Sequence, residues 1–169
     1  FNNAGVALGS TVEGASYDEL EWIVGINFWG VVYGTKEFLP LIKQTGDGHI
    51  INISSLFGLT AQPTQSAYNA TKFAVRGFTE SLRQELDMEN SGVSALCVHP
   101  GGIRTNIANA AKVNDSLRSI GMNPEKSAQT FNKLLRCPPE EAARQILEAV
   151  QKDKRRLLIG NDAKTLDLI

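Results

Sequence analysis

The chain has 169 residues, a length that fits one domain, with 42% hydrophobic and 21% charged residues, as in an ordinary globular protein. A net charge of -1 gives no basic footprint for nucleic acid or an anionic membrane. No apolar run approaches the ~20 residues that cross a bilayer, no signal peptide opens the chain, and Cys97, Cys137, His49 and His99 have neither disulfide nor metal spacing. The expectation is a cytoplasmic protein without a bound metal.

Phe1-Asn2-Asn3-Ala4-Gly5 reads as a strand end entering a turn, and with no methionine in front and an apolar finish at Leu168-Ile169, both ends read as cuts in a longer protein. Over residues 17–41, Leu20, Ile23, Val24, Phe28, Val31, Val32, Phe38 and Leu39 recur at helical spacing, behind a capping box of Ser16 and Glu19. Gly25, Gly30 and Gly34 each cost about 1 kcal/mol inside such a helix, which predicts close packing there. Trp22, Phe28 and Trp29 are expected in the core or an interface. After the Gly46-Asp47-Gly48 turn, Ile50, Ile51 and Ile53 mark a buried strand over 49–54. A loop with Gly58 and Pro63 precedes a long helix over 67–88, carrying Phe73, Val75, Phe78, Leu82 and Leu86 and ended by Ser91-Gly92.

A second buried strand spans 93–98 and stops at His99-Pro100-Gly101-Gly102, with His99 expected as a strand-end residue rather than an acid or base. The polar stretch 106–139 predicts short helices. A helix over 139–152 starts on Glu140 and Glu141, where its dipole favours anions. Lys154-Arg155-Arg156 reads as a solvated run before a last strand over 156–160. Strands alternating with helices imply right-handed β-α-β crossovers and a parallel sheet, covered on both faces.

Tyr68 and Lys72 form the only Tyr-x-x-x-Lys pair in the chain, with Ser55 thirteen residues upstream of the tyrosine. Four residues apart on a helix is one face, so the ammonium is expected beside the phenol. A free phenol ionises near pH ~10, and a neighbouring cation would pull that toward neutrality, allowing proton exchange with an alcohol or ketone oxygen. The spacing favours Ser55 over Ser54 as its partner.

In an open parallel sheet ligands bind beyond the carboxyl ends of the strands, and Asn2-Asn3-Ala4-Gly5, Ser54-Ser55 and Pro100-Gly101-Gly102-Ile103-Arg104-Thr105 all fall there. With Asn27 in the helix between, these motifs and Tyr68/Lys72 occur in the order of the short-chain dehydrogenase/reductase family, which the chain resembles from Asn2 to about Thr105. The resemblance implies an α/β, Rossmann-like doubly wound parallel sheet, present as its C-terminal part only, with the first strands missing. It implies one partial domain over 1–169, holding the catalytic and substrate-lid portion, with 106–139 in the lid position.

It further implies that Ser55 polarises the substrate oxygen and Tyr68 is the general acid or base. Lys72 would bind the nicotinamide ribose and lower the tyrosine pKa, and Asn27 would hold a relay water. Pro100, Gly101, Ile103 and Thr105 would wrap the nicotinamide of NAD or NADP, and Asn3, Ala4 and Gly5 would lie near its adenosine half. The expected substrate is a small secondary alcohol or ketone, with a 3-oxoacyl carrier-protein reductase as a close alternative and a non-catalytic dinucleotide-binding regulator as the contrary one. Helices near Trp29 and Phe78 suggest a homodimer or homotetramer. The family's Gly-rich phosphate-binding turn and the residue selecting NAD or NADP are not in the chain, so these residues alone are expected to be inactive.

Overall fold

A computed structural model describes residues 1–166. In chain order the elements are β1 (Leu8–Gly9), α1 (Tyr17–Val24), a π-helical turn (Gly25–Trp29), α2 (Gly30–Lys43), β2 (Gly48–Ile53), a 3-10 turn (Leu56–Gly58), α3 (Ser66–Glu89) and β3 (Val93–Pro100). Then follow β4 (Lys112–Val113), a 3-10 segment (Asp115–Ile120), α4 (Pro124–Asn132), α5 (Pro139–Gln151), β5 (Arg156–Ile159) and α6 (Asn161–Leu166).

β2, β3 and β5 form a parallel sheet in that order. Ile50 is opposite Ala95 and Ile51 opposite Leu96, while Val98 faces Leu157 on the far side. Outside β2, Asn2 bridges in parallel to Asn52, its N–H donating to Ile51 O at 2.8 Å. Because side chains alternate across a strand, Ile51, Leu96, Val98 and Ile159 pack with Ala142 and Ala149 of α5. Ile50, Val93 and Ala95 pack on the other face with Leu82 and Leu86 of α3 and Leu39 and Ile42 of α2. Helices therefore cover both faces of the sheet. Burying each such side chain contributes roughly 1.5–3 kcal/mol.

The expected long helix over 17–41 is interrupted. Its capping box is present, with the Ser16 hydroxyl accepting from Glu19 N and the Glu19 carboxylate accepting from Ser16 N. Over Gly25–Trp29 the turn widens to a π-turn, where Gly30 N–H reaches Gly25 O. Of the three glycines only Gly34 marks a close approach: a Cβ there would overlap the Asn2 amide, whereas Gly25 has open space. Gly25 and Gly30 border the π-turn instead. A further difference is the two-stranded parallel pair of β1 and β4, which joins the first loop to the 106–139 stretch. That stretch otherwise folds into the short helices expected. Among the described residues no helix is long and apolar enough to cross a membrane.

Candidate active site

Because the sheet is parallel, the carboxyl ends of β2, β3 and β5 open on one edge, where Ser54-Ser55, Pro100-Gly101 and Gly160 emerge. α3 starts beside that edge and brings Tyr68 and Lys72 to it, buried to 9% and 4% exposure. The Ser55 side chain acts on the Tyr68 phenol and favours its ionised form, and the Ser55 Oγ accepts from Phe57 N at 3.1 Å. Ser54 points the other way: its hydroxyl donates to Lys72 O at 2.8 Å. In return, Lys72 Nζ donates to Ile53 O at 3.0 Å. These two bonds tie the end of β2 to the turn of α3 that carries Lys72. Gly58 fits between them, since a Cβ there would overlap the Ser54 hydroxyl.

The phenol differs from expectation. Burial pushes the Tyr68 pKa up, and the Ser55 side chain is what opposes it. The Lys72 ammonium lies over the tyrosine ring, 5.6 Å from its centroid. Burial also pushes the Lys72 pKa down, to about 8. In this arrangement the serine, not the lysine, is the group that favours the phenolate.

Asn27, in the π-turn, is fully buried. Its Oδ1 accepts from Val6 N at 2.8 Å, and its Nδ2 donates to Val6 O at 2.9 Å and to Thr71 Oγ1 at 3.2 Å. The Thr71 hydroxyl in turn donates to Tyr68 O at 2.8 Å. Asn27 thus links the loop after Asn3-Ala4-Gly5 to the helix carrying the tyrosine. Both of its amide protons are engaged. Gly5 closes the cluster: a Cβ on it would stand 3.6 Å from both Asn27 Oδ1 and Lys72 Nζ. Asn3, Ala4 and Gly5 are exposed, leaving their backbone open to a ligand beside the lysine.

The 100–105 turn stands one strand over. Gly102 O accepts from the N–H groups of Arg136 and Cys137 at 2.9 and 3.0 Å, and Arg104 N donates to Cys137 O at 2.8 Å. These bonds close the base of the 106–139 stretch. A Cβ at Gly102 would strike Leu134 O, so the turn requires glycine. Pro100, Gly101 and Ile103 are half-buried and Thr105 is exposed, followed by turns rather than a helix for it to cap. The structure thus brings Ser55, Tyr68, Lys72, Asn27 and Gly5 together, with Pro100 to Thr105 alongside.

Five contributors were given no part in the site by the sequence. Thr71 and Ser54 buttress α3. Asp162, at the start of α6, accepts from Gly102 N at 2.8 Å. His99 contacts Ser55 O through Nδ1 at 3.1 Å. Phe57 adds an apolar wall, edge-on to Tyr68 at 6.2 Å and to Phe131 of α4 at 6.4 Å. A cavity of about 360 Å³ beside α5 and β5 shares no residue with this cluster.

A doubly covered parallel sheet with a half-buried serine and a buried tyrosine and lysine at its strand ends defines a Rossmann-like α/β protein. The short chain dehydrogenase family model matches residues 1–116, and the chain belongs to that family. It is 48% identical over 170 residues to SadH of Mycobacterium tuberculosis, named as an oxidoreductase, covering 100% of this chain and 60% of SadH. Among solved structures, a short-chain dehydrogenase/reductase from Burkholderia phymatum in complex with NAD superposes with a TM-score of 0.82 at 26% identity, covering 94% of this chain and 59% of that one. A serine dehydrogenase complexed with NADP+ gives a TM-score of 0.78 at 27% identity, covering 94% of this chain and 62% of that one. The chain therefore spans about 60% of the length of the relatives it matches.

Proposed function

We propose that the chain is the catalytic and lid portion of a single Rossmann-type domain in a longer cytoplasmic oxidoreductase. That enzyme interconverts a small secondary alcohol and a ketone with NAD or NADP. The observation that carries this reading is the gathering of Ser55, Tyr68 and Lys72 at the strand ends, with Ser55 the side chain that favours the phenolate and the Lys72 ammonium over the ring. Ser55 polarises the substrate oxygen, and Tyr68 gives it a proton in reduction or takes one in oxidation. Lys72 keeps N–H donors beyond its bond to Ile53 O, which suit the hydroxyls of a nicotinamide ribose. The exposed backbone of Asn3, Ala4 and Gly5 beside it, and the turn of Pro100, Gly101, Ile103 and Thr105, suit the rest of such a cofactor. When bound, the cofactor supplies the hydride. With its amide engaged, Asn27 serves a relay water through the backbone opened by the π-turn. Phe57 and Phe131 border the substrate with apolar surface.

Trp29, 45% exposed, stacks on the exposed Tyr33 beside Phe28 and Phe78, which suits a homodimer or homotetramer. Residues 1–169 alone are inactive in this reading, and steady NAD(P)-dependent turnover by them would refute that. The decisive substitution is Tyr68→Phe in the full-length protein. It is expected to cost roughly 10²–10⁴-fold in kcat with cofactor affinity kept. Unchanged turnover sinks the reading, and cofactor binding with no turnover in the unsubstituted protein favours a regulator.

A further inference from the structure

His99 is the last residue but one of β3, fully buried. Its Nδ1 lies 3.1 Å from Ser55 O, and its Nε2 faces no hydrogen-bond partner among the described residues. The two ring nitrogens decide the proton's place. A carbonyl can only accept, so Nδ1 must carry the hydrogen; the other neutral tautomer would set a lone pair against the carbonyl and bury an N–H unpaired. The imidazolium would bury an unpaired charged N–H, which is costlier still. The ring's environment agrees. Burial pushes the His99 pKa down to about 4, against the opposing bond to Ser55 O, with Arg156 from β5 and Arg76 from α3 adding to the fall and Glu80 from α3 opposing it. The ring is a neutral, permanent Nδ1–H donor.

That donor acts on the serine. Ser55 is held at two points, its carbonyl by His99 and its Oγ by Phe57 N, while its side chain favours the Tyr68 phenolate. The backbone and side-chain bonds together fix the direction of the Ser55 hydroxyl. We infer that His99 is a positioning residue for the reaction proposed above, holding the Ser55 peptide so that its hydroxyl stays aimed at the Tyr68 oxygen. This inference rests on that functional reading but concerns a residue that touches neither substrate nor cofactor.

Without the His99 bond the Ser55 carbonyl loses its tether and the Tyr68 phenolate loses a well-aimed donor. The groups facing that phenol are Ser55 and, on its own helix, Lys72. Loss of the donor raises the pH at which the phenolate forms. The acidic limb of alcohol oxidation then moves to higher pH.

The test uses the full-length protein and two variants. His99→Asn places an amide N–H near the position of Nδ1–H; His99→Leu keeps bulk without a donor. The leucine variant is expected to lose roughly 10- to 100-fold in kcat, the scale of a misaimed reacting group. Its cofactor Kd should stay unchanged and its acidic limb should move up in pH. The asparagine variant should stay near the unsubstituted protein. Equal losses in both variants, or an unmoved pH limb in the leucine variant, overturn the inference. Should the leucine variant not fold, side-chain ¹⁵N NMR of the unsubstituted protein decides. An Nδ1–H tautomer unchanged between about pH 5 and pH 9 is expected, and an Nε2–H tautomer or a titration in that range refutes the positioning role. Absence of turnover by the unsubstituted protein, by contrast, sinks the functional reading itself.

Discussion

The strand ends and the lid use polar side chains in opposite ways. At the strand ends Asn27, Ser54, Lys72 and His99 are each at most 4% exposed, and each has a bond to backbone or a helix-bound hydroxyl. In the lid, Asn106, Asn109 and Asn132 bond to one another at the surface, and Arg118 pairs with Asp115 and Glu125 in solvent. A buried polar group left unpaired costs its full desolvation, whereas an exposed one exchanges its partner for water. The first region is therefore committed to one geometry, and the second can open at low cost, which is what the lid role proposed for it requires.

Asn27 breaks this comparison hardest. Replacing it by leucine keeps the bulk but strips the partners from Val6 N, Val6 O and Thr71 Oγ1 together. With about 1–3 kcal/mol for each buried group left bare, a loss of more than about 3 kcal/mol is expected. Urea unfolding of the chain checks this; a loss below about 1 kcal/mol would mean that the strand-end network is as loose as the lid.

Acid gives a somewhat smaller effect on the same region. His99 is held down to about 4 when folded, against about 6.5 in an unfolded chain. The unfolded state therefore takes up the proton first. Stability should fall as pH drops from about 6.5 toward about 4, by up to roughly 3 kcal/mol, and be insensitive to this group above that window. Carboxylates held low by their partners, such as Asp153 beside Arg83, lose stability in the same direction but at lower pH. Following the urea midpoint with pH in His99→Asn separates them, because that side chain does not titrate and the upper part of the slope should vanish.

Much of the committed region was legible because it repeats in one dimension. Alternation in Ile50-Ile51 and helical spacing through Leu82 and Leu86 placed the sheet and its covering helices within a residue or two. The four-residue step from Tyr68 to Lys72 placed both side chains at one edge. What escaped was whatever depends on three dimensions. Nothing local says that Gly25 and Gly30 bracket a π-turn, because the widening answers to Asn27 reaching Val6, twenty-one positions away. Adjacency suggests a pull of the Lys72 cation on the phenol, but in the fold the Tyr68 pKa is set by burial, which raises it, and by Ser55, which lowers it. His99 looked like a strand end, which it is; its bond to Ser55 comes from the register of β2 beside β3, where Ile53 pairs with Val98.

The smallest effect sharpens the comparison from the lid side. Asn114 is where the lid comes nearest to being committed. Its Oδ1 accepts from Ser116 N at 2.8 Å, capping the 3-10 segment, while its Nδ2 donates to Gly14 O at 3.1 Å and to the Glu19 carboxylate at 3.1 Å. Glu19 already closes the box at the start of α1, so one amide fastens the lid to the helix that leads into Asn27. Asn114→Ala should cost about 1 kcal/mol, the usual worth of a cap, far less than Asn27→Leu. Because the lid alone is loosened, substrate KM in the full-length protein should rise several-fold with kcat little changed. Arg118→Ala, in the same lid but solvent-exposed, should leave both the urea midpoint and KM essentially unchanged. A kcat loss in Asn114→Ala as large as in His99→Leu would mean that lid and strand ends are one cooperative unit, and the contrast drawn from their burial would be wrong.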